Sequence, residues 1–419
     1  MSGAEGEVLR VETVCRACGS PDLATLLALG DLPLANALLD ADALARPEPR
    51  FPLTLRFCRA CSLVQLRETV RPDVLFSHYL YFSSFSDTML AHARELAEAL
   101  IWRLRLGPDS LVFEIASNDG YLLQYFQAAG VPVLGCEPAG NVAAEAQARG
   151  IPTLRAFFGR DVAAVLHAEG RRADAVLGNN VLAHVGDLPG FAEGVALLLA
   201  PRGRAVLEFP YVADLVAGTE FDTIYHEHLC YFSLHAVRAL FARAGLVLVD
   251  VERQAIHGGS LRVFLAHMEA GVPESPAVAA LLQEEEDSGL TGEAYYRRFA
   301  DQVARVRETL VSELRARKAS GQSLAAYGAS AKGSTLMNAC GIGRDLLDYV
   351  VDRSTVKQGR YTPGNHLPIL PPEELERRRP DAVLLLTWNF AEEICRQQRP
   401  YLDGGGTFLV PVPALRSIP

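Results

Sequence analysis

Long apolar runs are missing from this chain of 419 residues. Nothing approaches the roughly 20 consecutive apolar residues that span a bilayer. The opening MSGAEGEVLRVET has no charged stretch followed by an apolar one. The expectation is a cytoplasmic protein with no membrane partner. A basic excess is missing too: 40 Lys and Arg stand against 50 Asp and Glu, for a formal net charge of −10. Non-specific nucleic-acid binding needs a basic face to displace counterions. That excludes nucleic acid as the expected partner and leaves room for a local basic pocket that takes a small anion. No long charged or low-complexity tract interrupts the chain, and 49% of it is hydrophobic, so each part can bury a core. At this length two or three domains are expected.

Cysteine is sparse, with eight in all, and Cys136, Cys230, Cys340 and Cys395 are scattered as small core residues are. The other four are arranged. Cys15 and Cys18 form C-R-A-C, and Cys58 and Cys61 form C-R-A-C again. In a reducing compartment, two thiolates at each of two knuckles read as a tetrahedral zinc site, with redox chemistry or two disulfides as the alternative. The segment of about 70 residues around them, with Pro33, Pro47, Pro49 and Pro52 between the knuckles, builds a core poorly without a metal. The zinc is therefore expected to be structural.

After Ser77 the texture becomes a regular alternation. The segment TMLAHARELAEALIWRLRL, opened by Ser86 or Asp87, has apolar residues at helical spacing. SLVFEIASNDGYLLQYF follows as a short apolar strand, an acid, a small-residue turn and a helix. VPVLGCEPAGNVAAEAQARG repeats that scheme with a strand ending at Glu137. ADAVLGNNVLAHV and GRAVLEFPYV supply two more strands, the first ending at Asn179 and Asn180. Such alternation predicts a doubly wound, mainly parallel sheet whose ligand lies at the strands' C-terminal ends. The turn after the first strand is E-I-A-S-N-D-G rather than G-x-G-x-x-G, so no pyrophosphate cradle is visible. The strand-end acid Glu114, the small-residue turn with Gly120 and Glu137 at the end of the second strand point to S-adenosylmethionine, an adenosine ligand without phosphate, with Ala116, Asn118, Asn179 and Asn180 also expected to line its site. A dinucleotide fold, or a sheet that binds nothing, is the alternative.

Eight blocks in fixed order carry a resemblance: the two C-x-x-C knuckles, HYLYFSS, FEIASNDGYLL, NNVLAHV, YHEHLCYFS, HGGSLRVF and YGASAKGSTLMN. Over almost its whole length the chain resembles the sugar C-methyltransferases of deoxysugar biosynthesis, which methylate a carbon beside the ketone of a nucleotide-linked 4-ketosugar. The resemblance implies an α/β protein in three parts: a small zinc-binding N-terminal domain (1–75), a central class I, Rossmann-like methyltransferase domain (76–272) and a C-terminal Rossmann-like α/β domain (273–419) that helps bind the nucleotide sugar. It also implies a site built from Tyr79, His184, Tyr225, Glu227 and His228. One departure is Ala116, which stands where that family has glycine in E-I-G-S-N-D-G.

The chemistry explains the residue types. Carbon has no lone pair, so a base must take the proton beside the ketone and a donor must hold the oxyanion. Histidine suits the first task, and tyrosine or a second histidine suits the second. His228 is the expected base, with Glu227 fixing its tautomer or holding the sugar, and Tyr79, Tyr225 and His184 at the sugar's oxygens. On an extended strand Tyr225 and Glu227 point one way and His226 and His228 the other; only a turn or strand end brings Tyr225, Glu227 and His228 together. A three-histidine metal site with His184 is the competing reading, although H-E-H lacks the spacing of H-E-x-x-H.

In the last third, SLRVFLAHMEAG after His257-Gly258-Gly259 reads as a strand closing the central sheet, with His257 placed near the substrate. YYRRFADQVARVRETLVSELRARKASG reads as a solvated linking helix. SLAAYGASAKGSTLMNACG opens a second βαβ unit in which Ser330 and Lys332 start a helix. A lysine there opposes the helix dipole, so a negative group, such as the diphosphate of a nucleotide sugar, is expected beside it. DYVVD and AVLLLTWNF supply further strands, and the ends of both, with Thr387, Trp388 and Asn389, are expected to face the same cleft. The rival functions are an O- or N-methyltransferase, a ketosugar isomerase or epimerase, and a non-enzymatic binding protein. A monomer or weak homo-oligomer is expected.

Overall fold

Each C-R-A-C knuckle is a tight turn closed by its own backbone: the Gly19 amide donates to the Cys15 carbonyl and the Ser62 amide to the Cys58 carbonyl, both at 2.9 Å. The computed structural model describes residues 8–76 and 83–419. The knuckles flank an antiparallel sheet of Leu23–Pro33, Arg50–Cys58 and Val64–Leu66. Its fourth strand comes from the middle of the chain: Cys230–Tyr231 pairs antiparallel with Val64–Leu66.

The strand-helix alternation produces the expected sheet. Its order is Leu246–Gln254, Ser260–His267, Leu199–Pro210, Ala173–Asn179, Val112–Ile115, Val133–Cys136, Thr153–Leu154. The last five are mutually parallel, and Ser260–His267 runs antiparallel to both of its neighbours. The strand expected to close this sheet therefore lies inside it, and Leu246–Gln254 forms the edge. Parallel strands buried on both faces read as continuous apolar runs, and Val112–Ile115 and Val133–Cys136 are buried at every position. The helix Asp87–Leu104 begins where Ser86 accepts the Met89 amide, and it buries Met89, Ala93, Leu96, Ala97 and Leu100 along one stripe.

A second sheet takes the order Ile369–Leu370, Val350–Val351, Leu324–Tyr327, Ala382–Leu385, Thr407–Val410, Arg416–Ile418, parallel except for the last pair. The helix Glu293–Ala319 corrects one expectation. It is more than a solvated linker, because Tyr296, Phe299, Val303, Val306, Leu310 and Leu314 recur every three or four residues and are buried. Its charged residues line the opposite side, and the buried stripe was masked in the sequence by their number. Among the described residues, no helix is long and apolar enough to cross a membrane.

Candidate functional site

The four cysteine sulfurs of the knuckles lie within 4.8 Å of one another, with Cys15 to Cys61 and Cys18 to Cys58 both at 3.6 Å. Sulfurs placed tetrahedrally about 2.3 Å from a zinc ion are ~3.8 Å apart, so the group fits zinc with all four positions filled by protein. Among the described residues these cysteines are the one group able to hold a metal. The three-histidine alternative fails on geometry. His226 turns away, its Nε2 at 3.2 Å from the carbonyls of both Phe51 and Pro52.

The second cluster sits at the C-terminal ends of the parallel strands. Ala116, Asn118 and Gly120 all adopt positive φ, at 53°, 50° and 79°. Glycine takes that conformation without strain and asparagine tolerates it, whereas alanine does neither, so alanine at 116 is a departure with a cost. Glu137 accepts the amides of Asn118 (3.0 Å) and Ala139 (2.8 Å), tying the first and second strand ends together. Gly135 is required by close approach, since a Cβ there would lie 2.3 Å from the Ser117 hydroxyl. Burial pushes the Glu114 carboxyl well above its usual range, with Glu137 and Asp119 adding to the shift. Burial also raises Glu137, against the two amides it accepts. Around this turn Glu114 Oε2, Ser117 Oγ, Asp119 Oδ1, Asn179 Oδ1 and Nδ2, and Asn180 Oδ1 are buried without a hydrogen-bond partner. Buried polar atoms are normally paired. A set of them converging on strand ends fits a polar ligand, and S-adenosylmethionine supplies the amine, carboxylate and ribose hydroxyls to match.

YHEH is a turn, closed by the His228 amide on the Tyr225 carbonyl at 2.9 Å. The turn brings Tyr225 and His228 together: their rings are 4.1 Å apart, and the Tyr225 hydroxyl lies 2.9 Å from His228 Nε2. His228 Nδ1 lies 2.9 Å from the Thr223 carbonyl, which can only accept. The proton therefore sits on Nδ1, and Nε2 presents its lone pair to the Tyr225 hydroxyl. The tautomer is thus set by Thr223 rather than by the Glu227 carboxylate. His184 packs edge-on at 4.9 Å from His228, and its Nδ1 donates to the Glu227 carbonyl at 2.7 Å. Burial lowers the His184 pKa, so its neutral form persists at neutral pH. The Glu227 side chain goes elsewhere: both of its oxygens accept from Asn36 Nδ2, at 2.8 and 3.0 Å. Burial raises its carboxyl to about 7, against the Asn36 bond.

Tyr79 lies outside the described residues, as does the side chain of His257. Its neighbours Gly258 and Gly259 form a positive-φ turn against Glu220 and Asp214. Ser330 caps the helix Ala331–Cys340 by accepting the Gly333 amide. The negative group beside Lys332 is supplied here by protein: its Nζ is 4.0 Å from Glu220 and 4.9 Å over the Trp388 ring. Trp388 in turn donates to the buried Asp222 at 2.7 Å. Burial raises Glu220 to about 7, against the Lys332 charge. Asn36, Glu220 and Asp222 were missed in the sequence. A lone Asn after a strand and two acids just before YHEH carry no local signal, because their partners lie far away in the chain.

The sheet order, the strand-end cluster and the four-cysteine site together define an S-adenosylmethionine-dependent methyltransferase that carries a zinc-binding unit. Family models agree along the chain: "zinc binding domain" at residues 15–76, "Methyltransferase domain" at 89–251 and "C-methyltransferase C-terminal domain" at 255–413. The chain is 40% identical over 412 residues to the C-methyltransferase NovU of Streptomyces niveus, covering 98% of both. The protein belongs to this C-methyltransferase family. Two solved structures are similar in part. Magnesium protoporphyrin IX methyltransferase of Synechocystis PCC 6803 is 18% identical, covering 42% of this chain and 83% of its own, with a TM-score of 0.34. The glycopeptide N-methyltransferase MtfA is 15% identical, covering 45% and 96%, with a TM-score of 0.33. At these values neither bears on the site or the reaction.

Proposed function

We propose that the enzyme methylates the carbon beside the ketone of a nucleotide-linked 4-ketosugar, at C3 of a dTDP-sugar, giving a branched-chain deoxysugar. The reading takes residues 1–75 as the zinc unit, 76–272 as the methyltransferase and 273–419 as the unit that helps hold the nucleotide. The observation that carries it is the Tyr225–His228 pair, with Nδ1 anchored and a basic Nε2 already bonded to a phenol.

Nε2 of His228 takes the proton from the carbon, and that C–H electron pair forms the enolate. The Tyr225 hydroxyl, released from Nε2, donates to the oxygen on which charge develops. His184 packs against His228 and, with Tyr79, contacts the sugar's oxygens. Glu227, whose backbone carbonyl accepts from His184, is read as holding a sugar hydroxyl or exchanging a proton near neutral pH. Glu114, Ala116, Asn118, Gly120, Glu137, Asn179 and Asn180 hold S-adenosylmethionine, whose sulfonium methyl is the group transferred to carbon. Ser330, Lys332 and His257 contact the nucleotide sugar, with Lys332 exchanging Glu220 for the diphosphate.

The test is incubation with a panel of dTDP-4-keto-deoxysugars in D2O, with and without S-adenosylmethionine, followed by mass spectrometry and proton NMR. A new C-methyl group is expected, with His228→Asn lowering kcat about 100-fold or more. Deuterium uptake without methyl transfer turns the reading towards isomerisation or epimerisation. No reaction across the panel removes the ketosugar assignment.

A further inference from the structure

The Glu227 carboxylate is buried, with 6% of the residue exposed, yet among the described residues no cation meets it. Its hydrogen-bond partner among the described residues is the side-chain amide of Asn36, which is 191 residues away in sequence and spans both carboxylate oxygens. Asn36 sits in a tight turn directly after the strand Leu23–Pro33. Three residues beyond it, the backbone is pinned again: the Leu39 amide donates to the Tyr361 carbonyl at 3.0 Å, and the Tyr361 amide to the Leu39 carbonyl at 2.8 Å. A short turn fixed at both ends, by the N-terminal sheet and by the C-terminal part of the chain, holds one amide in one place. Asn36 is itself exposed, so the amide stands between the buried carboxylate and solvent.

The chemistry of the pair is specific. An arginine or lysine would lock the carboxylate in its ionised form. A neutral amide orients both oxygens and leaves the proton free to come and go. Among the described residues, the titratable side chains near Glu227 include Tyr225, His226 and His228 in its own turn and His184, which bonds its carbonyl. The N-terminal turn adds only a neutral donor. We propose that Asn36 is a positioning residue that aims the Glu227 carboxylate, so that the reaction requires the zinc-binding unit to be seated on the methyltransferase. This rests on the reading of Glu227 as part of the reacting site.

The experiment is a double-mutant cycle on the full-length zinc-loaded enzyme, using the dTDP-4-keto-deoxysugar that turns over. Asn36→Ala is expected to lower kcat about tenfold or more, with the KM for the sugar nucleotide within about twofold. In the Glu227→Gln background it is expected to cost nothing further, because Asn36 acts only through that carboxylate. Asn36→Ser, which keeps a short turn-forming side chain without adding a charge, replaces alanine if that variant folds poorly, and the same non-additivity is expected. Without substrate, the carbon-13 carboxyl signal of Glu227, identified by its loss in Glu227→Gln, is expected to titrate at higher pH once Asn36 is alanine. Full activity in Asn36→Ala while Glu227→Gln is impaired would overturn the proposal, as would additive losses or an unmoved titration. Wild-type activity in Glu227→Gln would instead remove the reading of Glu227, and the proposal with it.

Discussion

Burial decides how Glu227 behaves, and the consequence is measurable. Its carboxyl is raised from 4.5 to about 7, because burial penalises the charge more than the Asn36 amide stabilises it. The unfolded chain releases this proton near pH 4.5, while the folded chain keeps it until about pH 7. Between those values the folded state holds the extra proton, so stability falls as pH rises, and the loss is complete above pH 7. Glu220, raised to about 7 as well, works in the same direction. Glu227→Gln cannot ionise. It is expected to match the parent at pH 4 and to be more stable at pH 8, by about 3 kcal/mol at most. Urea unfolding at the two pH values reads this directly, and equal stability at pH 8 would contradict it. The residues of YHEH were legible as chemistry, but their roles were not. Whether Glu227 faced His228 or a distant amide depends on a turn, and the turn reverses the alternation an extended strand would impose.

Among the elements, the helix Glu293–Ala319 separates composition from pattern. Its mean character is polar, yet one stripe is buried, and Phe299 is 1% exposed. Removing a fully buried aromatic ring leaves a cavity that a packed core closes only in part. Phe299→Ala is therefore expected to cost about 3–5 kcal/mol, read as a fall in the urea midpoint, whereas a solvated linker would show almost no change. The parallel strands were easier to read, since four or five apolar residues ending in an acid or amide need only local information. The short strand Cys230–Tyr231 was not, because two residues carry no period and their partner lies in the N-terminal sheet.

At the scale of the molecule, the N-terminal unit does more than hold a metal. It contributes Asn36 to Glu227, its Phe51 and Pro52 carbonyls to His226, and the strand that pairs with Cys230–Tyr231. The knuckle residues Cys15, Cys58 and Cys61 are buried in one cluster with Leu63 and with Leu55 and Phe57 of the N-terminal sheet, so metal binding there adds to the folding energy of that core. Cys58→Ser is expected to abolish zinc retention, measured by elemental analysis. Methyl transfer is expected to fall about 100-fold through misplacement of the site, with S-adenosylmethionine binding kept, since the residues proposed to hold it lie on the central sheet. Retained activity in a zinc-free protein would contradict this dependence.

The sequence by itself determined what short-range spacing can encode. Two C-x-x-C turns make a metal site, and apolar runs that end in Glu114, Glu137 and Asn179 make a parallel sheet with a polar rim. Those signals are local because a knuckle, a strand and a cap each need only a few neighbouring residues. Only the tertiary structure decided that Asn36 meets Glu227, that Lys332 meets Glu220, and that Trp388 meets Asp222. Each of those contacts joins segments more than a hundred residues apart. Their geometry is set by how separately built sheets pack, which no local pattern records.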